Sequence, residues 1–145
     1  MKVKIASKSK DIELCYKLRE IIFINGQNVP HDRDRDSYDN TAIHFLLLKD
    51  NIPVGVARVV NRDNTAHIER VGILQEYRKK GAGTFLMQSI LNHCKREGFE
   101  KITLSSQEHA VKFYEKLGFE VIGQRYFDAN IPHLKMQSGI ISKTF

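Results

Sequence analysis

The stretch from His67 to Glu97 constrains this chain most. His67-Ile-Glu-Arg-Val-Gly-Ile-Leu74 reads as a strand, Arg78-Lys-Lys-Gly-Ala-Gly83 as a basic turn with two glycines, and a helical run follows to Glu97. A strand that enters such a turn and leaves as a helix makes a cradle for a pyrophosphate. Gly81 and Gly83 let the backbone come close to a ligand, and the first N–H groups of a helix have no internal partner. The helix dipole adds positive potential there, and Arg78, Lys79 and Lys80 add formal charge. The same pattern can also be no more than a tight corner, so a second motif has to decide.

That motif is Ser105-Ser-Gln-Glu-His-Ala110-Val-Lys-Phe113-Tyr114-Glu-Lys-Leu-Gly118-Phe119. Taken together, Arg78-x-x-Gly81-x-Gly83 after a strand and Ala110-x-x-Phe113-Tyr114-x-x-x-Gly118-Phe119 downstream resemble the GNAT superfamily of acetyl-CoA-dependent N-acetyltransferases. The resemblance covers the whole chain. Asn28-Val-Pro30, Asp36, His44, Ile68-Glu-Arg70 and Phe127-Asp-Ala-Asn-Ile-Pro-His133 further resemble the small bacterial ElaA/YjcF-like branch, on less specific matches.

Composition sets outer bounds. A length of 145 residues fits one domain spanning 1–145, large enough for a core. No apolar run approaches the roughly 18 residues of a membrane span. Met1-Lys-Val-Lys-Ile-Ala6 alternates like a strand rather than a signal peptide, so the expected location is cytoplasmic. Cys15 and Cys94 fall among apolar helical positions and read as buried thiols, with no metal-ligand spacing nearby. The 23 basic and 17 acidic residues give a net charge of +6. Those bases are scattered among acids, with no Lys/Arg block interleaved with aromatics, which argues against a nucleic-acid partner. A basic rim around coenzyme A phosphates accounts for part of the excess.

Local patterns predict alternating strands and helices, hence an α/β fold with a mixed sheet. Strands are expected at 2–6, 42–50, 53–61, 66–74, 100–104, 119–124 and about 133–138, and helices at about 10–24 and 82–97. Asp50-Asn51 and Asn61-Arg-Asp-Asn64 mark turns. Ser105 and Glu108 have capping-box spacing for a third helix, which would bury Ala110, Phe113 and Leu117 and end at Gly118. The polar segment 27–40, with alternating charge from His31 to Asp36, reads either as a solvated loop or as a lid on an acceptor pocket.

The resemblance implies a mostly antiparallel GNAT-type sheet flanked by helices, with acetyl-CoA in a gap between two splayed parallel strands, 66–74 and 100–104. It implies backbone contacts to the pyrophosphate from Arg78, Lys79, Lys80, Gly81, Ala82, Gly83 and Thr84. Strand-like pairing of the pantetheine arm would involve Val71, Gly72 and Ile73. A backbone N–H near Val71 or Gly72 would face the thioester oxygen, a donor of a kind that contributes about 2.7–4 kcal/mol to a transition state. Gly72 has no side chain to obstruct this approach, and also suits a bulge.

Tyr114 is the candidate donor to the departing thiolate, because a phenol stays protonated at neutral pH. Glu69 and His67 share one strand face and are the candidate bases, Glu69 preferred. The competing reading of Glu69 is a salt bridge to Arg58. Arg58 and Arg70 stay protonated and cannot be bases. Regular pleats would place them on opposite faces, with Arg58 the better candidate to grip an acidic group of the acceptor. His44 and His133 are further candidates for substrate contact. Ser105 stands where many relatives carry Asn, and the mixed Asp/Arg lid departs from a more acidic one in relatives. The expected activity is transfer of an acetyl group, by direct attack in a ternary complex, to the primary amine of a small molecule, an amino acid or amino sugar above others. The alternatives are a peptide acetyltransferase and a non-catalytic acyl-CoA-binding module. No metal is expected, and a homodimer is left open because dimers are common among GNAT enzymes.

Overall fold

The computed structural model describes residues 1–25 and 34–138. The expected matches at Asn28 and Pro30, and the lid up to Arg33, lie outside these residues. Seven strands form one sheet: β1 Lys2–Ala6, β2 Ile43–Lys49, β3 Ile52–Arg62, β4 Thr65–Ile73, β5 Lys101–Gln107, β6 Phe119–Asp128 and β7 Ile131–Ser138. Their order is β1-β2-β3-β4-β5-β7-β6. Among the described residues, only β4 and β5 pair in parallel; every other neighbouring pair is antiparallel.

Among the described residues, three helices flank the sheet: α1 Ser9–Arg19, α2 Ala82–Arg96 and α3 Val111–Glu115. The helix expected over 10–24 is α1 plus a wider π turn at Glu20–Asn25. On one face, Cys15, Leu18 and Ile22 pack against Ala6, Leu46 and Val56. On the other, Leu86, Met87, Ile90 and Cys94 of α2 pack against the larger core, which includes Leu47, Val59, Ile68, Ile102 and Leu104. Period-two alternation produces this division: Ala66 and Ile68 face α2, so His67 and Glu69 face the α1 side. Both thiols are free and buried, and burial pushes each up to about 11.

The turns follow their sequence signals. Asp50 and Asn51, and again Asp63 and Asn64, take positive φ, the combination that two-residue hairpins require. Two expectations are corrected. The strand expected over 100–104 continues to Gln107, because Ser105, Ser106 and Gln107 pair with Lys135, Leu134 and His133. Ser105 is therefore a strand residue rather than a helix cap, and its hydroxyl bonds that of Tyr126. The strand expected to stop at 124 runs to Asp128 and returns through Ala129-Asn130, both at positive φ. No helix among the described residues is long and apolar enough to cross a membrane.

Candidate active site

The site begins where β4 and β5 part. Their parallel pairing runs from Thr65↔Lys101 to Ile68↔Leu104 and ends there. Beyond it, β5 stays with β7, while β4 stays with β3 as far as Gly55↔Ile73. A bulge bends β4 at this point: Arg58 pairs with Glu69 and Val56 with Gly72, so Arg70 and Val71 together oppose Ala57. Arg70 adopts φ +56°, and a bulge of this kind increases local twist. A cavity of about 750 Å³ opens between the diverging strands.

Strand alternation furnishes one wall with polar groups. His67 and Glu69 of β4, Thr103, Ser105 and Gln107 of β5, and His133 and Lys135 of β7 all line the cavity. The Nδ1 atom of His67 lies 2.7 Å from the Thr103 hydroxyl. Burial, then the nearby charges of Arg62 and Lys135, hold His67 below the usual histidine range, so its ring is neutral near pH 7. His133 stacks on Tyr126 with ring centroids 5.8 Å apart. Its Nδ1 donates to the Ile131 carbonyl at 2.7 Å.

Tyr114 reaches the cavity from the opposite side. Its ring packs edge-on against Phe113 at 5.0 Å and Phe119 at 6.0 Å, within the α2-side core, yet Tyr114 also lines the cavity. Burial pushes its hydroxyl up to about 12. The parted strands thus let groups from both faces of the sheet meet in one space.

Beside this wall lies a cluster of buried charges. Arg19 and Arg58 are 0% and 1% exposed. Arg19 donates to Asp39 at 2.7 Å and to Asp34 at 3.2 Å. Arg58 donates to Asp36 at 2.7 Å, to Asp39 at 2.8 Å and to Glu69 at 2.7 Å. Burial raises the proton affinity of Asp39, but hydrogen bonds from Arg19 and Arg58 outweigh it and hold its carboxyl far below the usual range. The hydrogen bond from Arg58 likewise lowers Asp36.

This cluster changes the reading of several residues. Arg58, expected to grip an acceptor, is not in the cavity wall; three carboxylates take its donors. The salt bridge weighed for Glu69 is present. Arg70 does not part from Arg58: the bulge directs it to the Asp34 carbonyl at 3.0 Å and to Asp36 at 3.4 Å. His44, the other expected acceptor contact, is also absent from the wall; it is buried and donates from Nε2 to the Asp39 carbonyl at 2.9 Å. The stretch 34–40 is not a solvated loop, since Asp34 and Asp39 are buried and Ser37–Asn40 forms a short 3₁₀ turn capped by Asp36. Asp34 and Asp39 are residues sequence reasoning missed, and Asp36 stood there only as a branch match without a role. No local signal marks them: closely spaced aspartates look solvated until Arg19, Arg58 and Arg70 are seen to face them.

The basic turn follows β4 directly. Lys79 and Gly81 take φ +62° and +82°, and α2 starts at Ala82. Nothing lies within 4 Å of where a Cβ on Gly81 would be, so its backbone angle is what requires glycine there. A Cβ on Gly83 would come within 3.3 Å of Phe113. The Nε of Arg78 donates to the Ile73 carbonyl at 2.9 Å, tying the turn to the strand end. A Cβ on Gly72 would meet Ile22 at 2.8 Å and Phe23 at 2.9 Å, so this glycine makes room for the turn after α1. Val71 lines the cavity, whereas Gly72, Ile73 and Arg78 to Thr84 do not. An exposed cationic turn opening a 15-residue helix fits a phosphate-bearing group, and β4 leads from that turn to the cavity.

Comparison with known proteins bears on the family and the fold. A family model described as an acetyltransferase (GNAT) domain matches residues 26–139. The uncharacterized N-acetyltransferase YjcF of Bacillus subtilis is 32% identical over 137 residues, covering 94% of this chain and 98% of its own. The crystal structure of Escherichia coli ElaA shares the fold with a TM-score of 0.85 at 24% identity, over 94% of this chain and 98% of that one. A GNAT family acetyltransferase from Elizabethkingia anophelis, crystallised with acetyl-CoA bound, superposes with a TM-score of 0.75 at 13% identity, over 94% and 96%.

Proposed function

The chain belongs to the GNAT acetyltransferase family, and on that premise we propose that it acetylates the primary amine of a small molecule, of the amino acid or amino sugar class. It is an acyltransferase, and acetyl-CoA is its acetyl donor. The observation that carries the proposal is the cavity at the parted strands, into which His67 and Tyr114 come from opposite faces of the sheet. Its volume of about 750 Å³ suits a small acceptor beside an acetyl thioester.

Acetyl-CoA supplies the thioester carbon that the amine attacks. The turn from Arg78 to Thr84 would hold its phosphates, and β4 at Val71 to Ile73 would orient its arm. His67 takes the proton released by the amine, since its neutral ring has a lone pair at pH 7. Glu69 is the other candidate base, but its Oε1 already accepts two hydrogen bonds from Arg58, at 2.7 and 3.1 Å, and is tied to the buried cluster rather than turned to an acceptor. We therefore assign the proton to His67 and a positioning role to Glu69. Tyr114 stays protonated and donates a hydrogen bond to the departing sulfur. Burial makes this phenol a weaker acid than an ordinary thiol, so its role is stabilisation of the thiolate rather than full proton transfer.

Thiol release from acetyl-CoA across amino acids, amino sugars, polyamines and short peptides tests the proposal. Selective turnover of a small amine is expected. Turnover confined to peptides would replace the small-molecule reading with a peptide one.

A further inference from the structure

We propose that Lys135 anchors a carboxylate on the acceptor, so that the enzyme selects amines bearing an acidic group over amino sugars and polyamines. The inference rests on the acetyl-transfer reading and specifies its substrate. Strand register supplies the placement. Lys135 pairs with Ser105 on β5, and His67 pairs with Thr103 on the same strand, two residues earlier. Lys135 and His67 therefore share a sheet face two strands apart, with Cα atoms about 12 Å from one another by strand spacing. Both side chains line the cavity.

The other cations near the cavity are engaged. Arg58 is held by Asp36, Asp39 and Glu69, and Arg70 by Asp34 and Asp36. Arg62 lies 4.6 Å from the Tyr38 ring centroid and 3.8 Å from a Glu69 oxygen. Lys135 makes no ion pair with any described residue. It is near enough to His67 to act with Arg62 in holding that ring below the usual histidine range, against the opposing charge of Glu69. A polyamine would set a cation beside Lys135, and an amino sugar would bring it no anion. An amino acid brings its own counter-charge: the carboxylate meets Lys135 while the amine reaches toward His67.

The test compares kcat/KM for glycine, β-alanine and γ-aminobutyrate with that for their amides, in the wild type and in Lys135→Met, Lys135→Arg and Lys135→Glu. The acid-to-amide ratio is read within each protein, so a partly folded variant does not distort it, and comparison between proteins cancels the different basicity of the amines. The expected result is a ratio lowered about tenfold or more by Met, mainly through KM, largely restored by Arg, and lowered further by Glu. A ratio in Lys135→Met within about twofold of the wild type would overturn the anchor while leaving acetyl transfer intact. Absence of thiol release with every acid, amide, amino sugar, polyamine and peptide would instead remove the transfer reading, and the anchor with it.

Discussion

Two groups of charge share the α1-facing side of this sheet and differ in how they are balanced. In the buried cluster, the guanidiniums of Arg19, Arg58 and Arg70 are answered by Asp34, Asp36, Asp39 and Glu69. Along the cavity wall, His67 is neutral and Lys135 has no ion pair among the described residues. Guanidiniums stay charged at any physiological pH, so the first group serves as a lock. Imidazole changes charge near neutrality, so the second can exchange a proton with a substrate. Glu69 belongs to both, since it lines the cavity but is held by Arg58. The molecule thus sets rigidity beside reactivity and separates them by how completely each charge is paired.

The largest expected effect comes from breaking the lock. Arg58→Met would leave buried carboxylates without their donor and should cost about 3–5 kcal/mol, read from the urea midpoint. A loss below about 1 kcal/mol would show that the cluster holds little. Acid attacks the same lock. Asp36 and Asp39 have lowered folded-state values, so their contribution is complete above the unfolded carboxylate value near ~4 and drains as pH falls below it. The melting temperature should fall on acidification below that point, with a shallower slope in Asp36→Asn. On the reactive side, Tyr114→Phe should lower kcat about 100-fold with the acetyl-CoA Kd nearly unchanged; unchanged kcat would remove the thiolate role. Gly72→Ala should cost about 1–3 kcal/mol, because its methyl would overlap Ile22 and Phe23 at 2.8 and 2.9 Å. Gly81→Ala meets open space and strains only φ, so the expected loss is about 1 kcal/mol, visible as a small fall in melting temperature.

Much of the frame was legible because local chemistry decides it. Asp50-Asn51, Asp63-Asn64 and the glycines at 81, 98 and 118 all take the positive φ their residue types suit. The Arg78–Gly83 turn and the parting of the two parallel strands stand where the motifs put them. What stayed hidden depends on distant partners. Ser105 has the spacing of a cap, but β7 is available to pair and keeps it in a strand. Ala129 gives no turn signal, yet it takes φ +52° at the tip of the last hairpin. Arg70 at φ +56° is unexpected for a long side chain; the bulge it makes sends both central-strand arginines to one acidic cluster. Asp34, Asp36 and Asp39 read as solvated because nothing local shows that three arginines await them.

The central claim is that the proton leaves the acceptor amine through His67, with Glu69 fixed by the lock. It is tested most directly by the pH dependence of kcat/KM for thiol release in the wild type, His67→Gln and Glu69→Gln. The account predicts an acidic limb below the usual histidine range in the wild type, retained in Glu69→Gln and abolished in His67→Gln. A limb that survives in His67→Gln and disappears in Glu69→Gln would contradict it and return the base to the carboxylate.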